Sequence, residues 1–172
     1  MKHVVFILVF TSFFANAQVT KCKFEVNEFD SFSGSRIVKT KFMNIGQPEK
    51  VWYNTKVSVR KVDSTYFLFV TGIAGACVSN HDTEVSFKTV TGEIYSLKHI
   101  GEVDCGTTVY VGAASAQSQP IIYIQVTEDK IRTLGLSMLR ITQGQVYQNV
   151  KISMPFALKQ IFDCVDNVTS KK

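Results

Sequence analysis

The chain has 172 residues, 45% of them hydrophobic and 19% charged, with four cysteines and a formal net charge of +5. That length suits one globular domain with a real core, and the apolar share excludes a disordered chain. The low charged fraction excludes a long coiled coil, and the composition is neither collagen-like nor of low complexity.

The N-terminus reads as an address. Met1-Lys2-His3 is a short basic start, Val4 to Phe14 is apolar except for Thr11 and Ser12, and Ala15-Asn16-Ala17 is a small-residue cleavage site. This order matches a signal peptide over residues 1–17, cleaved before Gln18. The apolar run would rise roughly 16 Å as a helix, short of the ~30 Å a membrane anchor needs. The expected mature chain is therefore 18–172, secreted or periplasmic, with no transmembrane anchor.

Short strands separated by turns follow. Cys22 to Phe29 alternates, Asp30 to Ser35 turns the chain, and Arg36 to Phe42 is rich in β-branched residues. Asn44 to Glu49 reads as a loop. Val51, Tyr53, Thr55, Val57 and Val59 alternate with Trp52, Asn54, Lys56, Ser58 and Arg60, as expected of a half-buried strand. Tyr66 to Thr71 is apolar enough for a central strand buried on both sides. Glu84 to Val90 and Glu93 to Ile100 form a hairpin about Thr91-Gly92, with Val85 and Phe87 on one face.

Thr107 to Val111 and Ile121 to Val126 add two strands, with a small polar loop over 112–119 between them. Thr127 is placed to cap a short helical turn that ends near Gly135. Leu139 to Thr142 and Val146 to Ser153 make a last hairpin. A helix is predicted from Pro155 to Asp166, because Leu158, Ile161, Phe162 and Val165 form one apolar stripe. The expected fold is mainly β: an antiparallel β-sandwich or barrel-like domain of about nine strands, with a C-terminal α-helix.

Four cysteines in an exported chain suggest two disulfides, with three possible pairings. A two-residue Thr91-Gly92 loop sets Cys77 and Cys105 nearly opposite, one position out of register, which one bulge residue would correct. The preferred bridges are Cys77–Cys105 and Cys22–Cys164. Without a Cys-x-x-Cys pair, the usual spacing of a redox motif or zinc knuckle is missing.

The same register sets His81 opposite Glu102 and Glu84 opposite His99, near Ser79, Asp82 and Asp104. Histidines with carboxylates suit zinc binding or proton transfer. Positions 81 and 84 nevertheless fall on opposite faces, which splits the cluster into pairs too small for a metal site. No phosphate loop or nucleophile elbow is complete. Asn167-Val168-Thr169 matches the glycosylation acceptor pattern.

Lysines crowd the N-terminal third at positions 21, 23, 39, 41, 56 and 61, with Arg60 among them. On strands, such residues usually form a solvated face. Trp52 lies on the polar face of its strand, where an indole can stack on a sugar or anchor a protein contact.

The Phe-rich leader ending Ala15-Asn16-Ala17-Gln18, the early Lys21-Cys22-Lys23, and the run from Gly92 to Gly101 before Asp104-Cys105 resemble small, exported β-rich proteins frequent in Bacteroidota. The resemblance implies an extracytoplasmic β-domain and transfers no active-site residue.

The expected function is a non-catalytic exported binding domain for an unknown protein or glycan, without nucleic acid or cofactor. Its candidate surfaces are Trp52, Lys56 and Arg60, the 113–119 loop, and the hairpin around His81 and His99. One alternative is a metal-dependent or acid/base hydrolase using His81, Glu84, His99 and Glu102. Another is a carrier of a small hydrophobic ligand, requiring an apolar cavity of roughly 300–1,000 Å³.

Overall fold

The computed structural model describes residues 22–48, 54–73, 77–111 and 114–168. The leader over 1–17, Trp52 and Thr169 of the acceptor pattern lie outside them. Twelve strands are present among the described residues, three more than expected, with two helices. The strands are β1 Phe24–Phe29, β2 Arg36–Thr40, β3 Met43–Pro48, β4 Thr55–Val62, β5 Thr65–Thr71 and β6 Thr83–Thr89. They continue as β7 Ile94–Lys98, β8 Thr107–Val111, β9 Ala114–Ser118, β10 Ile122–Gln125, β11 Leu136–Gln143 and β12 Val146–Ile152. The helices are α1 Asp129–Thr133 and α2 Ala157–Asp166.

Ten strands form one antiparallel sheet, in the order β1-β2-β4-β3-β12-β11-β6-β7, with β5 on β4 and β10 on β5. β7, at one end of that path, meets β10, at the end of the branch. Ile100 N–H donates to the Tyr123 carbonyl at 2.8 Å, and Tyr123 N–H donates to His99 Nδ1 at 2.8 Å. The form is therefore the barrel-like one, an almost closed wall around an aliphatic core that includes Val57, Val59, Leu68, Val70, Ile124 and Leu139.

Two expected loops are strands. The segment read as a loop over 44–49 supplies β3, and the 112–119 loop supplies β9, which pairs with β8 in a separate two-stranded sheet. Turn residues such as Asn44, Gly46 and Pro48 conceal β3, because its hydrogen bonds come from neighbours distant in sequence. β5 is buried on one face only: Leu68 and Val70 point into the core, while Phe67 and Phe69 are half-buried on the outer side. Thr127 does not cap α1, whose N-cap is Glu128 without a side-chain bond. The last helix starts at Ala157, two residues after Pro155.

The β6–β7 hairpin decides much of the site question. Thr89 N–H donates to the Glu93 carbonyl, so Val90-Thr91-Gly92 forms a three-residue loop. Gly92 carries the left-handed φ of 95° that such a loop requires. The extra residue moves every pair by one: Glu84 faces Lys98 and Phe87 faces Tyr95. The same shift brings Val78 opposite Asp104 and Cys77 opposite Cys105. The bulge residue demanded by the cysteines is thus in the turn.

β2 and β3 form one long bent ribbon along a single edge of β4. Lys39 faces Arg60 and Met43 faces Val57, so three residues, 40–42, span the space of two. Side chains satisfy the backbone at this irregularity. Ser58 Oγ donates to the Thr40 carbonyl at 2.7 Å, and Val59 N–H donates to Thr40 Oγ1 at 3.0 Å. Ser58, expected on the polar face, is buried for this reason.

On its other edge the ribbon changes partner at the bend. β1 runs along it as far as Lys41, whose N–H donates to the Lys23 carbonyl. β12 takes over at Ile45, whose carbonyl accepts from Ser153 N–H. Residues 42–44 lie between these two contacts.

α2 packs on β4, β2 and α1. Leu158, Ile161, Phe162 and Val165 are all buried, as the stripe predicts, and the Phe162 ring meets Tyr66 edge-on at 5.8 Å. The Cys22–Cys164 disulfide ties α2 to the chain entering β1. In the same last turn of the helix, Asp166 accepts from Lys61 Nζ at 2.6 Å and from the Tyr66 hydroxyl, with Arg132 at 3.4 Å.

Burial alone would raise the Asp166 pKa. Hydrogen bonds from Lys61 and Tyr66 and the charges of Lys61 and Arg132 outweigh burial and hold it below the ordinary value of 3.8. The stability this carboxylate adds is present above its unfolded pKa and disappears as pH falls through the folded one. Asp166→Asn is expected to cost about 1–2 kcal/mol at neutral pH and to flatten the acid limb of the stability curve below about pH 4. Urea denaturation across pH checks both; an unchanged acid limb would remove Asp166 from this role.

Candidate ligand-binding groove

The hairpin cluster does not assemble. The shifted register sets Glu84, on the outer face of β6, opposite Lys98, while His99 meets Thr83 on the inner face and donates its N–H to the Thr83 carbonyl. The expected Glu84–His99 and His81–Glu102 pairs are therefore both absent, because a one-residue change in loop length replaces every cross-strand partner. His81 is exposed in the turn before β6. No group of three or more potential metal ligands occurs among the described residues.

The polar residues of this region hold backbone in place. His99 is only 3% exposed, and its Nδ1 accepts from Tyr123 N–H. Nε2 therefore carries the proton and donates to the Glu102 carbonyl at 3.2 Å, which fixes the tautomer. Gly101 lies against the ring, where a Cβ would come within 2.8 Å of Cε1. Asp104 accepts from Gly106 and Ile121 N–H, each at 2.8 Å. Asp82 accepts from the Ser79 hydroxyl, and that bond chiefly lowers its pKa.

His99→Ala is expected to cost about 2–3 kcal/mol, because it strands the Tyr123 amide and the Glu102 carbonyl. His81→Ala should stay within about 0.5 kcal/mol of the parent. Equal losses in urea denaturation would contradict the brace assigned to His99.

The face expected from Trp52, Lys56 and Arg60 divides. Arg60 lies opposite Phe67 and Lys39 on the outer side of the sheet. There Tyr123 stacks on Phe69 at 4.7 Å, and Lys39 Nζ lies 5.1 Å from the Phe69 ring. Lys56 turns toward a different feature.

That feature is a groove of about 600 Å³ at the bend of the β2–β3 ribbon, where β1 and β12 exchange. Residues 40–44 line it on the ribbon side, and α2 contributes Gln160, Ile161 and Cys164. Phe42, Met43, Met154 and Ile161 give it apolar walls, and the Cys22–Cys164 disulfide lies in its lining. Lys23, Lys41 and Lys56 stand on it and are exposed. Thr40, Asn44 and Gln160 complete the polar part.

The groove is hidden from the sequence because its residues come from five separate segments. Lys56 is the one residue of the expected surfaces that it contains. The local run Lys39-Thr40-Lys41-Phe42-Met43 looks like an ordinary strand end. No protein-family model, curated protein or solved structure matches the chain.

Proposed function

We propose that this chain is a non-catalytic binding domain of an exported, oxidising compartment, and that its ligand seats in the groove beside α2. The observation that carries the reading is the groove itself. Its volume of about 600 Å³ falls within the range of small-molecule sites, and its walls are mainly apolar with a few polar groups. Two methionines, Met43 and Met154, give those walls an adaptable surface. The two disulfides accord with export, and the leader over 1–17 supplies the address.

Within this reading, a carrier of small apolar ligands is favoured over a protein- or glycan-binding module. The surfaces first expected to serve the latter do not converge: Lys56 and Arg60 lie at different features, and His99 is buried.

Titration of the mature protein with the uncharged hydrophobic dye Nile red tests the proposal. One saturable site per chain is expected, weakened at least tenfold by Met154→Trp, which fills the groove from an exposed position. Tyr147→Ala, on the distant β11–β12 hairpin, should leave it unchanged. Absence of saturable binding to folded protein, or binding indifferent to Met154→Trp, would overturn the assignment.

A further inference from the structure

We infer that the ligand of this groove is a single-chain amphiphile with an anionic head, which rests on the groove being a binding site. The charge around it is one-sided. Lys23, Lys41 and Lys56 reach the groove from three different segments of the chain, and no carboxylate occurs among its described lining residues. None of the three makes an ion pair among the described residues. The neighbouring Lys39 and Lys61, by contrast, are held by Glu25 at 3.0 Å and Asp166 at 2.6 Å. Among the described residues, the fold thus neutralises the lysines beside the groove and leaves those on it without an ion-pair partner.

An apolar trough with cationic groups at its opening complements one ligand chemistry: a hydrocarbon body ending in a carboxylate or phosphate. The alkyl stems of the lysines extend the apolar wall, while their ammonium groups stay hydrated at the mouth. Lysine supplies compact point charges without the fixed fork of arginine. The site therefore selects the sign of a head group rather than its shape, and carboxylate and phosphate heads are both expected to bind.

Four ten-carbon probes separate the possibilities by calorimetry or Nile red displacement: decanoate, decyl phosphate, decanol and decyltrimethylammonium. Both anions should bind at least tenfold more tightly than decanol at low salt, and the cation more weakly still. Raising the salt to about 0.5 M should shrink the anion preference, since exposed charges are screened over a few ångströms there. A Lys23→Gln, Lys41→Gln, Lys56→Gln triple variant should lose the preference, so that decanoate and decanol bind it with similar affinity.

These outcomes distinguish two failures. Equal binding of decanol and decanoate would overturn the anionic head and leave the groove as an apolar site. Failure of every probe, Nile red included, would overturn the groove assignment itself. A preference for one anion alone would overturn selection by charge sign. An anion preference that survives in the triple variant would overturn the role of the lysines.

Discussion

A Cys22→Ser, Cys164→Ser double variant is expected to lose about 4–5 kcal/mol of stability, the larger of the two disulfide effects. The bridge spans 142 residues of sequence, against 28 for Cys77–Cys105. By the chain-entropy argument, the longer loop restricts the unfolded chain more, giving roughly 5 kcal/mol for one and between 3 and 4 for the other. Such a loss approaches the whole stability of many domains of this size.

The structural consequence is specific. Cys164 holds α2 against the chain entering β1, and both half-cystines line the groove. At temperatures where the variant remains folded, Nile red affinity should therefore fall together with stability. The corresponding Cys77→Ser, Cys105→Ser variant should lose stability with groove affinity preserved, because that bridge ties loops around the His99 brace. Calorimetric unfolding with dye titration on both variants checks the pair. A smaller loss from the long-loop bridge would contradict the entropic ranking.

Phe87→Ala is expected to cost about 3–5 kcal/mol, the usual range for deleting a fully buried phenyl ring. Phe87 has no exposed surface, faces Leu139 on β11 and Tyr95 on β7, and fills the middle of the barrel wall. Its neighbour Lys88 is exposed on the opposite side of the strand. Lys88→Ala should accordingly change stability by no more than about 0.5 kcal/mol. The contrast, read by urea denaturation, tests the alternation of β6 directly. A comparable loss from Lys88→Ala would mean that the inner and outer faces have been exchanged.

That alternation is legible in the sequence alone, and so is the β6–β7 hairpin. The register is not. Thr91-Gly92 looks like a two-residue loop, and only the hydrogen bonds of Thr89 show that Val90 belongs to the loop as well. One residue of loop length decides whether His81 and His99 face carboxylates or stand apart. The cysteine spacing already contains the correction, because Cys77 and Cys105 stand directly opposite only in the observed register.

By itself, the sequence determined the class of fold and its fastenings. Strict alternation over 55–60 and in Thr83–Thr89, the apolar stripe of α2 and an even set of cysteines are local signals. Each reflects how a strand or helix must turn its apolar side inward. Only the tertiary structure decided where a ligand can sit. The groove exists because one ribbon bends at Thr40 and exchanges β1 for β12, leaving an opening that α2 backs. Hydrogen bonds between strands far apart in sequence produce that exchange, and no short stretch of residues encodes it. The three lysines on the groove are the same residues that a one-dimensional reading assigns to a solvated face. Their meaning differs in the fold because the bend gathers them around an apolar trough with no carboxylate among its described lining residues.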